Sequence, residues 1–236
     1  PIQLTGYNDT HPDGVAATLE VTVVEAASYV NLAGTNPVFP YASWETAATN
    51  IQDAIGAASI PGHLVLVTNG VYRTGAVEGG YGPSRIALTN RVVVRSVNGP
   101  RVTEIRGPQC DSENPEDCEW GPVRCAYVGE GSVLSGFTLA KGSAGLAGGG
   151  VFAHSSGVVT NCIITGNSAH LGGGASGGSY YDCDITGNSA HLGGGANGGL
   201  YYDCDITDNV ASARRLSEWV PGQGGGAKSA ILHNCT

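Results

Sequence analysis

Methionine is missing from all 236 residues, position 1 included, so the chain is expected to start after processing or to be a piece of a longer one. Charge is scarce: Asp, Glu, Lys and Arg make up 13% of the chain, with 11 basic residues against 20 acidic ones and a net charge of −9. So acidic a chain argues against nucleic acid or an anionic membrane surface as a partner. It suits a cation, or a secreted or cell-surface life. No apolar run approaches the ~18 residues of a membrane-spanning helix, and no signal peptide remains. What the chain has in excess is glycine, 38 residues, without a collagen period.

The glycines are organised by a repeat. Ile164 to Asp208 reads ITGNSAHLGGGASGGSYYDCD, then ITGNSAHLGGGANGGLYYDCD, then ITD, an offset of 21 residues. The offset reaches back to Asn161-Cys162 and, past an insertion, forward to Gly224-Gly225-Gly226 and Asn234-Cys235. A period of this length signals a stacked repeat. About six glycines per unit exclude a helix-pair unit. Short alternating runs such as Tyr180 to Ile185 have strand period, and Gly-Asn and Gly-Gly pairs supply turns. The expected fold is all-β, a right-handed single-stranded parallel β-helix with coils stacked about 4.8 Å apart.

Equivalent residues then form columns. Cys162, Cys183, Cys204 and Cys235 should stack inward as small hydrophobes, beside Ile164, Ile185 and Ile206. Asn161, Asp182, Asp203 and Asn234 should mark a corner, because Asn and Asp tolerate left-handed backbone. Asn167, Asn188 and Asn209 should mark a second bend. Residues 1–62 read as a lead-in ending in an amphipathic helix. Ser43 would be its N-cap, and Trp44, Ala47, Ile51, Ala54, Ile55 and Ala58 its apolar face, covering the open end of coils that occupy 63–236. Leu19 to Val24 reads as a strand in the lead-in. At the other end no cap is visible after Thr236, so continuation of the chain or self-association through the last coil is expected.

Several columns carry chemistry. Asp182, Asp184, Asp203 and Asp205 form a two-by-two grid. Like charges one coil apart repel unless a cation bridges them, and calcium is the natural one; otherwise they are corner and solvated residues. His170 and His191 should stack, placed to bind a ligand or metal or simply to hold a turn. Parity with Cys183 puts Tyr181 inward and Tyr180 outward, which makes Tyr180 and Tyr201 the sugar-facing pair. The excursion 211–223 carries Arg214, Arg215, Glu218 and Trp219; Arg214 and Trp219 would line a groove beside the tyrosines, or else the segment is a surface flap with one internal ion pair. In the polar segment CDSENPEDCEWGPVRC a Cys110–Cys118 disulfide would close a loop in an oxidising compartment.

The passages YVNLAGTNPVFPYASWETAATNIQDAI, HLVLVTNGVY, RVVVRSVNGPRVTEIRG, SGFTLAKG and GGGVFAHSSGVVTNCIITGNSA make the chain similar to the secreted bacterial right-handed parallel β-helix repeat proteins, whose architecture is that of the pectin-lyase-like superfamily. The resemblance covers about residues 29–236. It implies export, and a choice between a structural or adhesive glycan-binding protein and a polysaccharide lyase or glycoside hydrolase. The polygalacturonase-like set Asn-Thr-Asp, Asp-Asp, Gly-His-Gly and Arg-Ile-Lys does not occur here, so no catalytic residue is carried over.

Overall fold

The computed structural model describes residues 2–19, 26–108, 121–212, 214–215, 219–220 and 222–236. The chain is a parallel β-helix. In a regular coil Ile163–Thr165 lies on a first sheet, Ser168–Leu171 on a second, and Ala175–Tyr181 on a third. The next coil repeats this as Asp184–Thr186, Ser189–Leu192, then Ala196–Asn197 and Leu200–Tyr202. Neighbouring coils pair in parallel at the 21-residue offset: Ile164 on Ile185 on Ile206, Ser168 on Ser189 and Tyr180 on Tyr201. The sequence repeat is therefore the coil register.

Each corner is built by a residue with positive φ. Asn161, Asp182, Asp203 and Asn234 (φ 50–53°) turn the third sheet into the first, the corner column expected. The second bend falls one residue earlier than expected. Gly166, Gly187 and Asp208 take the positive φ (64°, 64°, 55°), and the asparagines that follow turn their side chains inward.

Those asparagines form a hydrogen-bonded ladder. The Asn188 carboxamide oxygen accepts from Asn167 N (3.0 Å) and Asn167 Nδ2 (2.9 Å). Its own Nδ2 donates to Ile164 O (2.8 Å) and to Asn209 Oδ1 (3.0 Å). Asn167 Oδ1 in turn accepts from Gly142 N at 2.7 Å. Asn167 and Asn188 are buried, and a buried polar group is tolerated only when paired like this. The ladder also explains a glycine. A Cβ on Gly174 would lie 2.8 Å from Asn188 Nδ2 and 2.7 Å from Gly195 O, so alanine there would push the ladder apart.

Inside the coils run columns of Val, Ile, Leu and Cys. Cys162, Cys183 and Cys204 are buried, Cys235 half-buried, and all four are free thiols, as is the buried Cys125. Burial pushes Cys125 up to about 12 and Cys162 up to about 11 from an ordinary 9.0. A raised folded-state value favours the neutral thiol. This contribution to stability is complete below pH ~9 and fades as pH climbs towards 11–12. In a native titration with a thiol-specific disulfide reagent at pH 8, Cys125 and Cys162 should stay unlabelled, and both should react once the chain is unfolded. Native labelling of either would contradict the buried column. Cys110 and Cys118 lie outside the described residues.

The N-terminal region differs from expectation. The helix is Ile51–Gly56, capped by Asn50, whose side chain accepts from Asp53 N at 2.8 Å. It does not begin at Ser43. The segment before it is drawn into backbone bonds instead: Ala48 N donates to Tyr29 O (2.9 Å), Asn31 N to Ala48 O (2.8 Å) and Val38 N to Thr46 O (3.0 Å). Tertiary pairing overrides the helical spacing of Trp44 and Ala47. Ile51, Ala54 and Ile55 join the core of the first coils. The third sheet itself reaches back before residue 63, since Ala27–Val30 pairs in parallel with Leu64–Val67. Ile2–Asn8 and His11–Leu19 make an antiparallel hairpin; of the strand expected from Leu19 to Val24, residues 20–25 lie outside the described ones.

Candidate functional site: a serine–histidine groove

The second sheet presents the same triplet on consecutive coils, Ser168-Ala169-His170 and Ser189-Ala190-His191. The strands pair in register, so like lies on like. The two imidazoles stack with centroids 5.2 Å apart and planes 6° from parallel, as the spacing predicted. Together with Gly145 and Ser212 they line a shallow groove of about 350 Å³. Ser168, Ser189 and Ser212 are exposed, and the histidines are half-buried. Among the described residues no carboxylate lines this groove.

The tautomer of His191 follows from its partner. Nδ1 lies 3.1 Å from the Ser212 carbonyl oxygen. A carbonyl only accepts, so Nδ1 carries the hydrogen and Nε2 keeps its lone pair in the neutral ring.

The tyrosine assignment is reversed. Tyr180 and Tyr201 are fully buried, with rings stacked 4.6 Å apart, and burial pushes both phenols well above their ordinary range. They are core, not sugar-facing. The cause is the corner: with Asp182 at φ 51°, strand alternation does not carry across it, and Tyr180 and Cys183 both point inward. The outward column is Tyr181, Tyr202 and His233, stacked at 4.9 and 4.7 Å. Face-to-face stacking covers the ring faces and leaves edges and phenol oxygens outside. A sugar platform needs an open face.

The four aspartates divide by role. Asp182 and Asp203 are corner residues, while Asp184 and Asp205 are exposed neighbours in register on the first sheet. Asp203 accepts from the Asn234 side chain and Asp205 from the Thr236 hydroxyl. Among the described residues no group of three or more His, Cys, Asp or Glu is arranged to hold a metal ion. In the excursion, Arg214–Arg215 pairs antiparallel with Trp219–Val220; the side chains there, and Glu218, lie outside the described residues.

Two arrangements escaped the sequence reading. Arg124 is 1% exposed and donates to five carbonyls: Gly79 (2.7 Å), Tyr81 (3.1 Å), and Gly82, Ala147 and Gly148 (each 3.3 Å). Its carbonyl partners lie 23–45 positions away in sequence, so no local motif announces them. Ser28 Oγ lies 2.9 Å from His63 Nε2 and donates to Pro40 O. His63 Nδ1 is buried without a partner, and burial lowers the pKa of the ring.

The fold places the chain among parallel β-helical proteins. No family model matches it, and no curated protein does. Two solved structures are similar in shape. One is a pectin methylesterase variant in complex with a hexasaccharide: 15% identity over 78% of this chain and 55% of that one, TM-score 0.46. The other is a rhamnogalacturonan lyase: 11% identity over 89% of this chain and 62% of that one, TM-score 0.45. The chain thus spans under two thirds of the length of either. Among the described residues no helix is long and apolar enough to cross a membrane.

Proposed function

We propose that this chain is the polysaccharide-binding part of a secreted or cell-surface β-helical protein, and that a linear glycan lies along the axis in the Ser–His groove. The observation that carries this reading is the repetition. Ser168 and Ser189 present a hydroxyl at the same position on two successive coils, with His170 and His191 beside them, and on the next coil Ser212 follows in the histidine column while Val210 takes the serine position. Hydroxyls and imidazoles both give and accept hydrogen bonds, which suits the hydroxyls of a sugar. A polymer whose repeat approximates the coil spacing of about 4.8 Å would meet a hydroxyl or an imidazole at each of these three coils. Adhesion to a glycan-bearing surface would follow from such binding.

A second reading, a piece of a polysaccharide lyase or glycoside hydrolase, shares the ligand class. Its support is the imidazole pair, which supplies proton donors and acceptors in an open groove. A panel of soluble polysaccharides in affinity electrophoresis tests both readings. Retardation by at least one of them, lost when Ser189→Trp fills the groove, is the expected result. Retardation unchanged in that variant would move binding to another face. Shortened chains after incubation would make the protein an enzyme.

A further inference from the structure

We propose that His170 and His191 form a two-histidine site for a borderline transition-metal ion, Ni(II), Cu(II) or Zn(II). The inference does not rest on glycan binding. It starts from placement: two imidazoles on adjacent parallel strands, in register, 5.2 Å between centroids and 6° between planes. Their equivalent nitrogens are therefore about one coil spacing apart. Both rings are half-buried against the sheet and border an open groove, so an ion has access while the side chains are partly held.

The second observation is the Ser212 carbonyl. By accepting from Nδ1 of His191 at 3.1 Å it fixes the tautomer that offers Nε2 as a ligand. A backbone carbonyl on the far nitrogen is the arrangement that orients metal-binding histidines and raises their basicity. The ligand set selects the metal. Imidazole nitrogen suits nickel, copper and zinc, whereas calcium and magnesium require oxygen donors, and no carboxylate is available among the described lining residues.

One adjustment is required. Parallel stacked rings direct their lone pairs side by side, and metal–nitrogen bonds of about 2.0–2.1 Å need them to converge. With His191 kept on the Ser212 carbonyl, the adjustment falls on His170, whose ring must turn about χ1 and χ2 to bring a nitrogen towards Nε2 of His191. The χ2 torsion is soft for histidine, and the ring borders the open groove. Water and the exposed hydroxyls of Ser168 and Ser189 would complete the coordination shell. The site has two protein ligands, so it would bind as a chelate that depends on both.

Calorimetric titration of the whole chain with Ni(II) at pH 7.5 tests this, with His170→Ala, His191→Ala and the double variant alongside. One equivalent should bind to the unaltered protein. Each single variant should lose ~10-fold or more in affinity, because the second ligand acts at high effective concentration. The double variant should do no better than the singles. His154→Ala and His233→Ala should leave binding unchanged. Circular dichroism confirms that each variant is folded. Equal affinity in either single variant and the unaltered chain would overturn the proposal, as would loss of the tight site in His154→Ala or His233→Ala.

Discussion

Asn188→Leu should destabilise the protein by roughly 3–5 kcal/mol. Leucine matches asparagine in size but cannot pair. The substitution strands Asn167 N, which then has lost its 3.0 Å acceptor, and Ile164 O, which loses its 2.8 Å donor. It also removes the coil-to-coil links to Asn167 Nδ2 and Asn209 Oδ1. Each buried group left unpaired costs ~1–3 kcal/mol. Position matters more than residue type here. Asn209 is half-buried, and its bonds to Asn188 N, Asn188 Nδ2 and Ile185 O are only part-buried, so Asn209→Ala should cost less, about 1–2 kcal/mol. Denaturant unfolding of the two variants checks both numbers. Equal losses would mean that the ladder does not act as a buried column.

Arg124→Met should be of similar size, about 3–5 kcal/mol, and should show itself locally. The guanidinium holds the 79–82 segment against the 147–148 corner through five carbonyls and lies 5.6 Å from the Phe152 ring centroid. Burial pulls its pKa down, with Glu78 acting the other way, yet an arginine stays charged in a protein. Methionine fills part of the volume and leaves the carbonyls unpaired. Tyr81, packed edge-on against Phe152 at 5.4 Å, should come loose, so that hydrogen exchange and proteolytic cleavage both rise within 79–82. Arg124→Lys should not restore protection, because one ammonium cannot span carbonyls on two segments. Unchanged exchange in Arg124→Met would show that the segment is held by other contacts.

The fold was legible because the repeat keeps one residue type in each column. Where Ile164 recurs as Ile185 and Ile206, the parallel register can be read directly. Earlier coils were legible only as separate strands, since their offsets vary. Gly70 pairs with Thr103, Glu104 with Thr138, and Leu139 with Ile164. The histidine stack and the Asn/Asp corner followed from the same columns. The tyrosines did not, because period-2 reasoning assumes an unbroken strand and the positive φ of Asp182 ends it one residue after Tyr181. Trp44 and Ala47 have helical spacing, but the backbone partners that claim their segment, Tyr29 and Asn31, are not visible in a local pattern. Arg124 was missed for the same reason: its partners are main-chain oxygens, which any sequence supplies.

The groove reading rests on coil spacing, and ligand length tests it most directly. For a glycan retained in the affinity panel, binding of its oligosaccharides is measured as a length series. The account predicts affinity that climbs with each added sugar until the ligand spans the coils bearing Ser168, Ser189 and Ser212, then levels off. Affinity already complete with a single sugar, or the same series in Ser189→Trp, would contradict a polymer lying along the axis.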